Sequence, residues 1–561
     1  MPRSNRHGIS SARAHAALLS LALLAGCGGG GSDTPAIPPT IDAASVSAVA
    51  ASDPGSTLPA HWQRGVFMEI FVRAYQDSDG DGIGDLKGLT SRLDDLKELG
   101  ITGLWLMPIH PSQDRDHGYA VTDYRAVAPE YGTLADLDEL LRQAHARGIG
   151  VVIDYVMNHS AAAHPLFTNS RSAADNPWRD WYVWQNSAPS GWNIYGSNPW
   201  YGASSNGGSG VGAYFAGFWS QMPDFNLKNA RVAEWHRDNL RFWLNRGVDG
   251  FRFDAVGNLV ENGPAAWENQ PENHALMAAV QGVLAGYSRR FLVCEAPGQP
   301  RRYAEADSCG SAFAFGQQYD IVSAAKGDTA AIARVAAYRS TASDTLAGFA
   351  SNHDGFAGER LWDQLGGDGA KMRLAAATYL LSSPTAFVYY GEEIGMAGAS
   401  GLSGDPALRT PMSWTGSTTN AGFTTGRPFR ELSANVASAN VAAQRSDPAS
   451  LRSFYQQVIA LRQSLPALTL GQYGGALAQD TRMQFRRVLT TARGTDTVWV
   501  GFNYGDRAAT LDLADLPAGM TLRRRWPAGA ADVTLDAQGR ATVTLPAGSF
   551  AVLQAVPVQA P

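Results

Sequence analysis

The stretch DGFRFDAV, Asp249 to Val256, places Arg252 two residues before Asp254 at the end of a short apolar run. Side chains two apart on a β-strand share a face, so the guanidinium lies beside the carboxylate and favours its ionised form. Two more acids close apolar runs, Glu295 at the end of FLVCE and Asp354 at the end of GFASNHD. Outward from these, candidate strands begin at Val66 (VFMEIFV), Ile101 (ITGLWLM), Gly150 (GVVIDYV), Gly250 (GFRFDA), Phe291 (FLVCEA), Ser311 (SAFAF), Ala347 (AGFAS) and Thr385 (TAFVYYG). Between them lie stretches such as LADLDELLRQAHARG and ARVAEWHRDNLRFWLNRG, with apolar residues at helical spacing and Gly at the C-terminal end. This alternation predicts an α/β fold, a (β/α)8 barrel over residues 59–157 and 226–466, with the three acids at strand C-termini where such barrels keep their active sites. The segment 158–225 is far too long for a barrel loop and marks a domain inserted after the third strand. Residues 467–561 change to alternating short runs without helical spacing, the pattern of an antiparallel β-sandwich.

The chemistry follows from the settings of the acids. An ionised Asp254 can attack a sugar carbon. Glu295 emerges from an apolar run beside that negative charge, and both effects raise its pKa toward that of a general acid. Asp354 can bond sugar hydroxyls and stabilise an oxocarbenium-like transition state. One acid at a strand end is ordinarily a surface charge; three in this setting read as a glycosidase site.

On these residues the chain resembles the α-amylase family, glycoside hydrolase family 13, over roughly residues 62–557. DYVMNH (Asp154 to His159), GFRFDA (Gly250 to Ala255), the Glu of VCEA and FASNHD (Phe349 to Asp354) are similar to the family's first four motifs, in order. The resemblance implies Asp254 as nucleophile, Glu295 as acid/base and Asp354 as transition-state stabiliser, with Arg252, His159 and His353 lining the reacting-sugar subsite and the inserted segment as domain B. GITGLWLMP resembles the second-strand motif, and MPDFN (Met222 to Asn226) that of members intermediate between oligo-1,6-glucosidases and neopullulanases. Tyr119 of DHGY is implied to stack on the reacting sugar. Asp116 of the same motif resembles the Asp with which exo-acting glucosidases grip a terminal sugar, and Arg409 of RTPM is expected to pair with it and close the pocket, unless Asp116 lies hydrated on the rim. Ala255 stands where α-1,6-specific relatives tend to have Val and implies α-1,4 specificity. Gly257-Asn258 replaces the Lys-His of many α-amylases, which leaves the product-side subsites and one family calcium site without their usual residues.

DSDGDGIGD presents Asp77, Asp79 and Asp81 at alternate positions, the Ile83 carbonyl and a fourth carboxylate from Asp85, the first half of a calcium loop, although Gly88 occupies the twelfth position where an acid is usual. Four acids within nine residues repel unless a cation sits among them, so a structural Ca2+ is expected. At the N-terminus, Arg3, Arg6 and Arg13 precede ALLSLALLAG, too short to span a bilayer, and residues 1–26 read as a signal peptide. Leu24 to Cys27 resembles a bacterial lipobox, which implies lipidation of Cys27, export as a lipoprotein, membrane contact through that lipid alone, and an outer-membrane or periplasmic address. Residues 27–58, rich in Gly, Ser, Ala and Pro, read as a flexible tether. Removing the first 26 residues takes the net charge from −6 to −9, which argues against a nucleic-acid partner. Of the remaining cysteines, Cys294 and Cys309, the former lies in a strand where a free buried thiol is the commoner state, so an unpaired pair is expected.

The composite expectation is a retaining enzyme, monomeric, that cleaves α-1,4-glucosidic bonds in starch and maltooligosaccharides. Its rivals are an exo-acting α-glucosidase or transglycosylase, and a surface glycan-binding lipoprotein without catalysis, against which the three intact acids weigh.

Overall fold

Each of the eight apolar runs folds as a strand. The computed structural model describes residues 39–204, 210–342, 344–514 and 520–557. Strands β1 (Val66–Ile70), β2 (Gly103–Leu106) and β3 (Gly150–Tyr155) are followed by a small three-stranded sheet of β4 (Trp184–Gln185), β5 (Trp200–Gly202) and β6 (Ala213–Phe215) in the inserted domain. The barrel resumes with β7 (Gly250–Phe253), β8 (Phe291–Cys294), β9 (Ala312–Phe313), β10 (Leu346–Ala347) and β11 (Ala386–Tyr389). These eight pair in parallel in the order β10-β9-β8-β7-β3-β2-β1-β11, and a parallel bridge from Gly348 to Ala386 closes the ring. The helices form where the periodicity places them: Leu134–Ala146 opens on a capping box between Thr133 and Asp136, and Ala230–Asn245 is capped by Asn229.

The barrel interior is a packed core of aromatics. Phe67 stacks on Phe387 at 4.7 Å and meets Phe291 and Trp62, each at 5.4 Å. These rings fit because β2 and β3 bring glycines against them: a Cβ on Gly103 or Gly150 would lie 2.3 Å from the ring of Phe67 or Trp62. With the interior filled, only the strand C-termini are left to form a site. Beyond the barrel, β12 (Gln472–Gln479), β13 (Arg482–Thr491), β14 (Gly494–Asn503), β16 (Met520–Trp526), β17 (Val533–Thr534) and β19 (Ser549–Pro557) form an antiparallel sheet. A second, two-stranded sheet of β15 (Ala509–Leu513) and β18 (Ala541–Leu545) packs against it.

Two expectations are corrected. The tether does not reach residue 58. Arg125 donates to the carbonyls of Ala44 and Ser47, Asp238 accepts from the Val49 amide at 2.9 Å, and Leu58 is fully buried at the foot of the barrel. Composition reads as linker here because the docking groups lie on the partner surface. Likewise Cys294 and Cys309 are not free thiols but form a disulfide. The turn through Pro300–Tyr303 folds back so that the Cys309 amide reaches the Tyr303 carbonyl, which returns its sulfur to the strand end. Closing this loop of sequence separation 15 limits the unfolded chain; in the chain-entropy model such a closure contributes about 3 kcal/mol. It also pins the residue preceding Glu295. Cys27 lies outside the described residues.

Candidate active site

Arg252, on β7, is buried and organises everything around it. Its Nη1 lies 2.9 Å from Asp154 of β3 and 2.8 Å from Asp254, while Nη2 lies 2.9 Å from Glu295. Asp254 and Glu295 each stand one residue past a strand end, and adjacent-strand register between β7 and β8 brings them together. One guanidinium thus draws the two carboxylates together, each on a different terminal nitrogen. The backbone turns sharply after Asp254: Ala255 has φ of 46°, and its amide donates to Glu295 Oε2 at 3.0 Å. This left-handed position disfavours a β-branched side chain, so the small residue at 255 has a backbone cause.

Burial dominates the electrostatics. One cation shared among three acids cannot hold them all ionised. Burial raises the pKa of Asp254 to about 6 although Arg252 lowers it, so the guanidinium limits the rise rather than holding the acid at its ordinary value. Glu295 is raised to about 7, first by burial and also by Asp254. Asp354 is raised to about 7 by burial, against Arg409. The acids titrate as a group, and these values belong to the cluster.

His353 and Asp354 follow β10. His353 Nε2 lies 2.7 Å from the Tyr119 hydroxyl and 3.1 Å from Asp354, and the Tyr119 ring lies nearly parallel to the imidazole, with centroids 5.6 Å apart. Tyr119 donates to Asp154, which also accepts from the Trp105 indole. His159 is buried, with Nε2 lacking a hydrogen-bond partner, an unmet need that a ligand hydroxyl can fill. The expected pairing of Asp116 with Arg409 is not made, nor is Asp116 hydrated and unpaired. Arg409 instead holds Asp354 at 2.9 Å and Asp405 at 3.0 Å. Asp116 is held by Arg430 at 2.6 Å, and Arg430 also donates to the Arg409 carbonyl.

Several contributors escaped the sequence. Asp154 sits inside a quoted motif, where alternation with the apolar strand residues was its signal. Glu69 and Arg430 had none, because their partners lie far away in sequence, whereas Asp405 had a local one, its place four residues before Arg409. Tyr195 and Phe218, 66% and 41% exposed, stack at 6.1 Å, with Trp267 edge-on to Tyr195 and Phe218 against His159. Through Phe218 this aromatic lip borders the site at His159.

In the DSDGDGIGD loop, carboxylate oxygens of Asp77, Asp79 and Asp85 lie within 4.8 Å of one another. Asp81 stands outside that group, exposed, accepting the Ile83 amide at 2.7 Å. Asp85 also caps the next helix by accepting from the Gly88 amide at 2.8 Å. Gly82 has φ of 91°, and a Cβ on it would lie 2.0 Å from the Arg427 carbonyl oxygen, so the loop abuts the segment that carries Arg430.

Residues 69–471 match the model of the alpha amylase catalytic domain, a span that contains every residue of this cluster. The chain belongs to the alpha-amylase family. It is 34% identical over 428 residues to alpha-amylase 3 of Dictyoglomus thermophilum, covering 75% of this chain and 81% of that one. It is 30% identical to an oligo-1,6-glucosidase of Heyndrickxia coagulans, over 81% and 94% of the two chains. Among solved structures, an alpha-glucosyl transfer enzyme superposes with a TM-score of 0.74 at 28% identity, over 88% and 99% of the chains. This alpha-amylase family enzyme is therefore a glycosidase or transglycosylase of glycoside hydrolase family 13, and its fold is the family's barrel with a C-terminal β-domain.

Proposed function

We propose that the enzyme hydrolyses α-1,4-glucosidic bonds of maltooligosaccharides and starch with retention of configuration, attacking internal bonds. Asp254 is the nucleophile, Glu295 the acid/base and Asp354 the group that grips sugar hydroxyls as charge develops. The observation that carries this reading is the single buried Arg252 binding both Asp254 and Glu295, which gathers a nucleophile and a proton donor at one point. Tyr119, His353, Arg409 and His159 surround the reacting sugar, and the Tyr195–Phe218 lip offers flat faces to leaving-group sugars. Ala255 leaves space beside the nucleophile that a Val would fill. A methyl-scale difference is worth only about 1 to 3 kcal/mol, so the preference for α-1,4 over α-1,6 bonds is clear but not absolute.

One observation favours a second reading. The Asp116–Arg430 pair joins loops on the Asp354 side and can wall off the pocket behind the reacting sugar, as exo-action requires. Maltoheptaose blocked at its non-reducing end separates the two. Internal attack yields a spread of short products from blocked and free chains alike; cleavage of free chains only, with glucose released singly, makes the Asp116–Arg430 pair a terminal-sugar clamp. Isomaltose cleaved faster than maltotriose overturns the α-1,4 assignment.

A structural Ca2+ at Asp77, Asp79 and Asp85 fits the donor chemistry: three carboxylates gathered within 4.8 Å are a hard-oxygen set, to which Asp81 and the Ile83 carbonyl are adjacent. Bound to the folded loop alone, the ion stabilises by mass action, roughly 2.7 kcal/mol at a hundredfold excess over Kd. Chelation is expected to lower the melting temperature by several degrees and Asp79→Ala to abolish that response; identical melting of both proteins with and without chelator rules the site out. The lipobox reading carries export and acylation of Cys27, and no helix among the described residues is long and apolar enough to cross a membrane. Cys27→Ala is expected to release active enzyme in soluble form, and membrane retention of that variant contradicts the anchor.

A further inference from the structure

Glu69 is an acid that the proposed chemistry does not use. It projects from β1 on the face it shares with Phe67, is 1% exposed, and places Oε1 2.5 Å from Nδ1 of His353, itself fully buried. The other groups facing the imidazole come from every surrounding element. Trp105 of β2 packs edge-on at 5.6 Å, and Tyr119 lies at 2.7 Å with His117 stacked behind it. Asp154 of β3 accepts from Tyr119, while Arg252 of β7 approaches Tyr119 from the same side. Asp354 lies 3.1 Å from Nε2, and Arg409 donates to the His353 carbonyl.

Hydrogens can be assigned by requiring each short contact to contain one. The Tyr119 hydroxyl has a single hydrogen, and Asp154 receives it. Nε2 therefore faces the Tyr119 oxygen as an acceptor at 2.7 Å and must itself bear a hydrogen, which Asp354, its carboxyl raised to about 7, also accepts once ionised. The Glu69–Nδ1 contact needs a second. Two hydrogens thus satisfy the chain, whether the shared one sits on carbon-bound oxygen or on nitrogen. Burial raises the pKa of Glu69 well above the carboxylate range, and burial with Arg409 and Arg252 lowers that of His353 well below its ordinary value, so the shared hydrogen is held toward Glu69.

We propose that Glu69 is a positioning residue: by sharing a hydrogen with Nδ1 of His353 it keeps a hydrogen on Nε2, directed at Asp354 and at the sugar hydroxyl that binds beside it. The state of one imidazole nitrogen is set by the partner of the other. When pH rises through the pKa of the pair, one of the two hydrogens is lost to solvent; the one that remains passes from Glu69 to Nδ1, Nε2 becomes bare, and it then faces the ionised Asp354 without a hydrogen between them.

This inference rests on the glycosidase reading of the site. Its test uses α-maltosyl fluoride, whose leaving group departs with little help from Glu295, so that the alkaline limb no longer reports that acid. In Glu69→Gln the amide N–H donates to Nδ1 and fixes the same Nε2–H form without a titrating group. Glu69→Leu removes the partner altogether. The Gln variant is expected to keep kcat/KM within about threefold of wild type near pH 6, with its alkaline limb moved up by at least one pH unit; the Leu variant is expected to lose roughly 10- to 100-fold, chiefly in kcat. An unchanged alkaline limb in Glu69→Gln overturns the proposal even if Glu69→Leu fails to fold, and so does a Leu variant with wild-type kcat/KM. Absence of turnover by the wild type itself rejects the glycosidase reading instead.

Discussion

Asp254→Asn is expected to reduce turnover of maltooligosaccharides by roughly 10^4- to 10^6-fold, the scale on which loss of a covalent nucleophile is felt. Glu295→Gln is expected to reduce it by about 10^2- to 10^4-fold, and by much less on a substrate with an activated leaving group. Both variants should fold. Each replaces a carboxylate by an isosteric amide that still accepts a hydrogen bond from Arg252, and relief of carboxylate crowding offsets the lost ion pair. Circular dichroism and melting close to wild type, together with the loss of rate, distinguish a chemical role from a structural one. The stereochemical arm is proton NMR of the first products: α-configured sugars support attack by Asp254, whereas β-configured sugars would falsify the retaining mechanism.

The second large effect is the dependence of kcat/KM on pH. The nucleophile must be ionised, so the rate falls as pH drops below the raised value of about 6 at Asp254. The acid must be protonated, so the rate falls as pH rises above about 7 at Glu295. The window is narrow, and on either side kcat/KM should change about tenfold per pH unit. Because the two carboxyls and Asp154 share Arg252, the measured limits belong to the cluster rather than to single residues. A broad plateau from pH 4 to 9 on an unactivated maltooligosaccharide contradicts this arrangement. In Glu295→Gln the part of the alkaline limb set by the acid should disappear, leaving only that of the Glu69–His353 pair, while the acid limb persists, which assigns the limbs.

The sequence by itself determined the elements and the local chemistry. Alternation of apolar runs with helical stretches is a short-range property, and so is the spacing of Arg252 and Asp254; both follow from chain geometry within a few residues. It also placed Glu295 and Asp354 at strand ends, because an apolar run that stops at an acid marks the edge of a core. Only the tertiary structure decided the partners. Whether Asp116 pairs with Arg409 or Arg430 depends on how loops hundreds of residues apart converge, and nothing local encodes it. Glu69 reads from the sequence as one more residue of a buried strand, and its contact with His353 spans a sequence separation of 284. The disulfide and the docked segment ending at Leu58 were misread for the same reason, since a thiol or an Ala- and Ser-rich chain is committed by the surface that meets it. The pKa of Asp254 shows the division most clearly: the sequence supplies the neighbouring cation, but the depth of burial and the other acids competing for that cation exist only in the folded barrel.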